Sequence, residues 1–366
     1  MRLALAGICL GTALIAGAAN IDLSVKELMR DLGSTMLRML PAAYSETPDR
    51  VLLLENLVRL EYLLDQTEPH FSKSSESRVP LTLLQERLGE AKSWGTRGNA
   101  VMLQNTVSEA FALCATCHVQ DRVTRRAFAS SQVDALDNYL AVEYHFLTRD
   151  YTAAMASMKQ YFERSHRTQN RDSIVLQRIL TVGVEVRREL DFSIMQLNAA
   201  LKYLEPDDYN FDRVSDWVKV LRRLNSDSET LQSPVGKDLA GLDRFLLEEW
   251  PDIRTLLSYS EQEAYWIVIR GELNRLLKSE NADLPQIYYW LAVIDRELQY
   301  RFYGSLSRAY LERCVNEFPG DEYATRCLDE YELLVLISFS GSSGTFVPYE
   351  VNERIQAMRK LIAANR

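Results

Sequence analysis

The stretch Ala100–His118, AVMLQNTVSEAFALCATCH, places Leu103, Val107, Ala110 and Cys114 at three- and four-residue spacing, so that they share one side of a helix. Neither Gly nor Pro interrupts it, and its helical length is about 28 Å at 1.5 Å per residue. Working outward, three more segments of the same kind precede it. The first opens at a capping box, Ser24 with Glu27, and carries Leu28, Leu32, Met36 and Met39 until Pro41 stops it. The second opens at Thr47 with Pro48 in its first turn and repeats Leu53, Leu57, Leu60 and Leu64. The third follows Pro80 with Leu81, Leu84, Leu88 and Ala91, and ends around Gly95. Four amphipathic helices joined by loops predict a four-helix bundle between about residues 20 and 128.

Beyond Val133 the pattern becomes one of consecutive helix pairs with aromatic-rich faces. Leu140, Ala141, Tyr144, Tyr151, Ala154, Met158 and Tyr161 have offsets that resemble a tetratricopeptide repeat, without the Pro that would end one. The expectation for residues 129–366 is an irregular α-solenoid of helical hairpins, broken by polar loops at 205–212 and 225–236. An unrelated helical bundle is the alternative. Strand-like alternation is hard to find anywhere, so the fold class is all-α.

At the N-terminus, Met1 and Arg2 precede an apolar run from Leu3 to Ile15 and then the small residues Ala16, Gly17, Ala18 and Ala19. This has the form of an export signal, with residues 1–19 removed after cleavage near Ala18 and the mature chain in the periplasm. A retained membrane anchor is the competing reading, since the run could barely span a bilayer. The net charge of −9 becomes about −10 once Arg2 leaves, which argues against nucleic acid as a partner. Of five cysteines, Cys9 goes with the signal and four remain, Cys114, Cys117, Cys314 and Cys327. In an oxidising compartment each needs a partner or a ligand, and they fall into two pairs.

Cys114-Ala115-Thr116-Cys117-His118 carries the chemistry. Two thiols three positions apart on a helix can add to the two vinyl groups of haem, while the adjacent imidazole reaches the iron from the same face. A thiol–disulfide exchange centre would follow a strand in an α/β fold, and half of a zinc site would need a second pair nearby. Neither context is present. The expected cofactor is one covalent haem c, with His118 as an axial iron ligand.

With that motif late in the fourth helix, residues 20–128 resemble a class II cytochrome c, the family of cytochrome c′ and its low-spin relatives. The resemblance implies a four-helix bundle with the sixth ligand facing the haem from helix one. Arg122 matches the Arg often found four residues after the His, whereas Asp121 stands where an aromatic is usual. The run Met29 to Met36 is similar to helix one of six-coordinate members, which makes Met29 the candidate sixth ligand and Met36 the less favoured one. The alternative is that both, with Met39, are core methionines. Relatives often dimerise through the first two helices, so the resemblance admits a homodimer there.

Arg122, Arg125 and Arg126 follow the haem histidine and are candidates to neutralise propionates or to dock a redox partner protein. His70, His145 and His166 read as surface or packed histidines. Cys314 and Cys327 flank the turn Phe318-Pro319-Gly320-Asp321, which predicts a disulfide across a helical hairpin. The Gly341–Thr345 loop lacks the Lys and preceding strand of a phosphate-binding loop. No catalytic signature is found, so the chain is read as a non-enzyme: a periplasmic electron carrier with a helical protein-interaction domain. The alternatives are a gas-binding or sensing cytochrome c′-like protein and a redox-complex assembly scaffold whose haem is structural.

Overall fold

The computed structural model describes residues 25–45, 47–71, 75–121, 133, 136–164, 167–226, 233–279, 282–299, 305–342 and 344–366. The expected signal segment, the Ser24 cap, His166 and the three arginines Arg122, Arg125 and Arg126 lie outside the described residues. What is described is helical apart from loops and one short hairpin, so the all-α reading holds.

Helices α1 (Val25–Ala43), α2 (Arg50–Phe71), α3 (Ser75–Thr96) and α4 (Ala100–Asp121) pack in chain order, and α4 returns against α1 and α2. The predicted stripes are the inner faces: Leu53, Leu57, Leu60 and Leu64 of α2 and Leu103, Val107 and Ala110 of α4 are buried. Helix boundaries within these four differ from the sequence reading in three places, and farther on the expected polar loop at 205–212 is already helical from Tyr209. The α1 helix passes through Pro41 to Ala43, because a proline in the last turn removes a single backbone bond and the carbonyls beyond it find tertiary donors in α4. Asp49, not Thr47, caps α2, its Oδ1 accepting from Leu52 N at 3.0 Å. The third helix starts at Ser75, ahead of Pro80.

The rest of the chain forms α5 (Asn138–Leu147), α6 (Tyr151–Phe162), α7 (Gln169–Thr181), α8 (Leu190–Leu201), α9 (Tyr209–Ser226), α10 (Leu239–Arg244), α11 (Trp250–Thr255), α12 (Tyr259–Leu276), α13 (Leu284–Glu297), α14 (Ser307–Glu317), α15 (Glu322–Phe339) and α16 (Tyr349–Asn365). Between α15 and α16 lies the hairpin β1 (Ser340–Gly341) and β2 (Gly344–Thr345). Asp137, Asp150, Thr168, Asp238, Asp283 and Asp321 each accept a backbone N–H at a helix start, and Ser258 with Glu261 forms a full capping box. Consecutive helices pack as pairs, α5 on α6, α8 on α9, α13 on α14 and α14 on α15. Of the residues with repeat-like offsets, Leu140, Tyr144, Tyr151, Ala154, Met158 and Tyr161 are buried in the first pair and Ala141 is half-buried.

Two π-helical turns interrupt the series, Val182–Arg187 after α7 and Phe245–Glu249 after α10. At the first, a Cβ on Gly183 would stand 2.1 Å from Ser193 Oγ, so only glycine lets α8 approach this closely. The turn also carries Glu185 into the interior, where Arg270 of α12 donates to its Oε1 through Nη2 at 2.8 Å. Arg178–Glu143 (Nε–Oε1 3.0 Å) ties α7 to α5 in the same manner. Cys314 and Cys327 lie at disulfide distance, S–S 2.11 Å with Cα atoms 6.3 Å apart, across the turn between α14 and α15.

Buried apolar residues form one continuous cluster from Met36 in α1 to Ile362 in α16. Helices α1 and α4 both pack on α5, and α4 also meets the first π turn. Gly33 of α1 faces Thr148 at the end of α5, where an added Cβ would sit 3.7 Å from Cγ2.

Candidate haem-attachment site

Helix α4 continues to Asp121, so Cys114, Cys117 and His118 are all helical. Cys117 is three residues and His118 four residues beyond Cys114, the spacing of neighbours on one helical face. The Cys114 thiol lies 3.8 Å from the Ala110 carbonyl oxygen of the preceding turn. Between the cysteines, Thr116 is buried and donates its hydroxyl to Ala112 O at 3.2 Å, which turns it away from the solvent. The side chains of Cys117 and His118 lie outside the described residues.

Along the α4 stripe, Leu103, Val107 and Ala110 are fully buried and Cys114 is half-buried. Beyond it, Ala115, Thr116 and Val119 are buried again.

The relation of this end of α4 to α1 is set at the opposite end by three hydrogen bonds. Gln104 Nε2 donates to Ala42 O (2.9 Å) and Ser45 O (2.6 Å), and Ser108 Oγ donates to Ala43 O (2.9 Å). The early turns of α4 thus lie against the end of α1, and the helices run antiparallel. Counted in opposite directions along the two helices, the Gln104–Ala42, Gln104–Ser45 and Ser108–Ala43 contacts put the His118 position opposite about positions 28 to 33 of α1, a span with Met29 at one end that stops three residues short of Met36. Met36 stands only six residues from Ala42, near mid-length, where it is 5 % exposed in the core. Met29 is half-buried, beside the fully buried Leu28 that anchors this turn of α1.

The remaining candidates are dispersed. His70 is exposed in the last turn of α2, and His145 is half-buried in α5 with its ring edge-on to Tyr144 at 5.6 Å. Among the described residues, no group of three or more His, Cys, Asp and Glu side chains is arranged to hold a metal ion. No family model, curated protein or solved structure matches this chain. The assignment of a haem site therefore stands on the chain's own residues.

A concavity invisible in the sequence lies along α4. It encloses about 720 Å³ and is lined by Ala112 and Glu109 of α4, Arg87 of α3, the Arg178–Glu143 pair and Val335 of α15. Ala112 is about 160° around the helix from Cys114 at 100° per residue, so this groove and the haem face do not coincide. Its floor holds Tyr44, whose hydroxyl is pushed well above the usual range by burial and by the neighbouring Glu143 carboxylate. The groove's walls come from elements some 200 residues apart, which is why no local pattern announces it.

Proposed function

We propose that this chain is an exported c-type cytochrome that carries electrons between redox partner proteins through one covalently attached haem. The observation that supports it is the Cys114-Ala-Thr-Cys117-His118 sequence on the last turns of α4, with Cys114 half-buried on the stripe of the fully buried Leu103, Val107 and Ala110. Bound there, haem would supply reversible one-electron exchange at its iron. The chain's own part is holding and shielding. Cys114 and Cys117 would hold the macrocycle through thioether links, and His118 and Met29 would ligate the iron. A coordinated sulfur favours electron transfer over gas binding.

In this reading α1 to α4 form a haem-carrying bundle of the class II type, and the helices from α5 onward are a scaffold of stacked hairpins that docks a partner. The continuous core joining α1 and α4 to α5 fixes the haem relative to that scaffold, which raises its local concentration at whatever the scaffold holds. Arg122, Arg125 and Arg126, directly beyond the histidine, serve to neutralise propionates or an acidic docking surface.

The deciding experiment is export of the full chain from a host with a working cytochrome maturation system. Red protein whose intact mass exceeds that of the processed polypeptide by one haem, with the gain abolished in Cys114→Ala/Cys117→Ala, supports the proposal. Colourless protein at the polypeptide mass overturns it. Rapid carbon monoxide binding by the reduced protein would transfer the assignment to a gas-binding cytochrome.

A further inference from the structure

Helix α1 ends at Ala43, so its last carbonyls have no partner within the helix. Tyr44 N meets Leu40 O at 3.1 Å, but Ala42 and Ala43 are buried, which keeps most water from the carbonyls that follow. Helix α4 supplies the donors. Gln104 Nε2 bridges Ala42 O (2.9 Å) and Ser45 O (2.6 Å), and Ser108 Oγ donates to Ala43 O (2.9 Å), with Gln104 O farther from the same hydroxyl at 3.1 Å. A buried carbonyl stranded without a donor costs more than an ordinary hydrogen bond returns, so any other placement of α1 along α4 is penalised.

The apolar part of the seam does not set that placement as sharply. Met36, Met39 and Leu40 of α1 share the core with Leu103, Val107 and Ala110 of α4. Apolar contact has no direction and methionine adapts to several shapes, so such a surface tolerates sliding that the hydrogen bonds oppose. A helix is stiff, and an axial slip at one end arrives at the other nearly undiminished. One residue of slip is about 1.5 Å, whereas a ligating atom must be held to within about 0.5 Å.

We propose that Gln104 and Ser108 are positioning residues for the iron: by fixing α1 on α4 they hold the Met29 thioether at the axial position across from His118. The inference rests on the haem reading and extends it to two residues that stand roughly 15 to 20 Å along α4 from His118. Met29 lies at one end of the α1 span opposite His118, so there is little margin for slip toward that end. In this arrangement the choice between six- and five-coordinate iron is made at the far end of the bundle.

Gln104→Met/Ser108→Ala tests it, because it keeps volume and helix propensity and leaves both cysteines, His118 and Met29 in place. Exported from a host with cytochrome maturation, the double variant is expected to gain the same haem mass as the unaltered protein. Its spectrum should show a high-spin fraction, and its reduced form should bind carbon monoxide at least tenfold faster. Ser108→Thr keeps the hydroxyl and should stay low-spin. Leu53→Ala, a buried site in the first turn of α2, separates position from stability: its urea midpoint should fall with no change of spectrum. If the double variant is not recovered, Ser108→Ala alone decides by the same readouts. A low-spin double variant with unchanged carbon monoxide binding overturns the proposal, as does a Leu53→Ala spectrum that shifts as far. Unaltered protein that is haem-loaded but already high-spin overturns it alone, since α1 then supplies no ligand to place. Colourless unaltered protein overturns it together with the haem reading.

Discussion

Arg213 grips Glu263 with two parallel bonds where α9 crosses α12, Nε to Oε2 at 2.7 Å and Nη2 to Oε1 at 2.8 Å. Both side chains are almost wholly buried, and Trp217 Nε1 adds a third bond to Oε2 at 3.2 Å. Removing one partner strands the other's charge in the interior. Glu263→Ala is therefore expected to cost about 3–5 kcal/mol, whereas Arg213→Met/Glu263→Leu, which removes both charges and keeps volume, should lie near the unaltered protein. Urea unfolding of the three forms measures this. A double variant as damaged as the single would show that the bonds themselves, rather than the stranded charge, set the cost.

The two methionines of α1 separate by readout. Met36→Ala empties a buried site, so about 2–5 kcal/mol of stability is expected to go while the visible spectrum of the haem-loaded protein stays low-spin. Met29→Ala removes a half-buried side chain; the expectation is a small loss of stability and a change to a high-spin spectrum that binds carbon monoxide. An unchanged spectrum in Met29→Ala, or a changed one in Met36→Ala, reverses the ligand assignment.

The helical class, the buried stripes of α2 and α4 and the Cys314–Cys327 pairing were legible because each is a local pattern: a period, a spacing or a turn. The end of α1 was misread for a physical reason. Pro41 is a stop only when the carbonyls beyond it have nowhere to go, and the donors that meet Ala42 and Ala43 come from Gln104 and Ser108, some 60 residues away. The interior ion pairs were invisible on the same ground. Glu143, Glu185 and Glu263 look like solvated helix faces until Arg178, Arg270 and Arg213, 35 to 85 residues distant, are folded against them. At the candidate haem site the motif was plain in the sequence, and what folding adds is the burial of Met36 in the core while Met29 is half-buried.

The Cys314–Cys327 bridge closes a short loop between two well-packed helices, with both residues fully excluded from solvent. Its effect is mainly on the unfolded chain, which the link makes less expansive; for a loop of this size about 3 kcal/mol is expected from closure entropy. Cys314→Ala/Cys327→Ala should lower the urea midpoint accordingly. In unreduced native or denatured protein neither cysteine should react with a thiol reagent, and alkylation of both without reductant would refute the bridge.

Arg270 serves two carboxylates at once, and this gives the fold a pH signature. Glu185 takes the closer bonds, at 2.8 Å and 3.2 Å, while Asp295 is left with Nη1 at 3.3 Å. Burial pushes the Asp295 carboxyl up, and this outweighs the opposing pull of Arg270 and of the bonds from Leu306 N and the Ser305 hydroxyl. The folded protein therefore keeps this proton to a higher pH than the unfolded chain, where an aspartate ionises near pH 3.9. As pH rises from about 4, the unfolded state sheds its proton first, so the contribution of Asp295 to stability falls until the folded carboxyl ionises as well, and then levels. Asp295→Asn abolishes that slope while its carboxamide oxygen can still accept from Leu306 N and the Ser305 hydroxyl. Urea unfolding of both forms from pH 4 to 8 should show the unaltered protein losing stability relative to the variant as pH rises. A difference that grows in favour of the unaltered protein over that range would mean that Arg270 holds Asp295 ionised throughout.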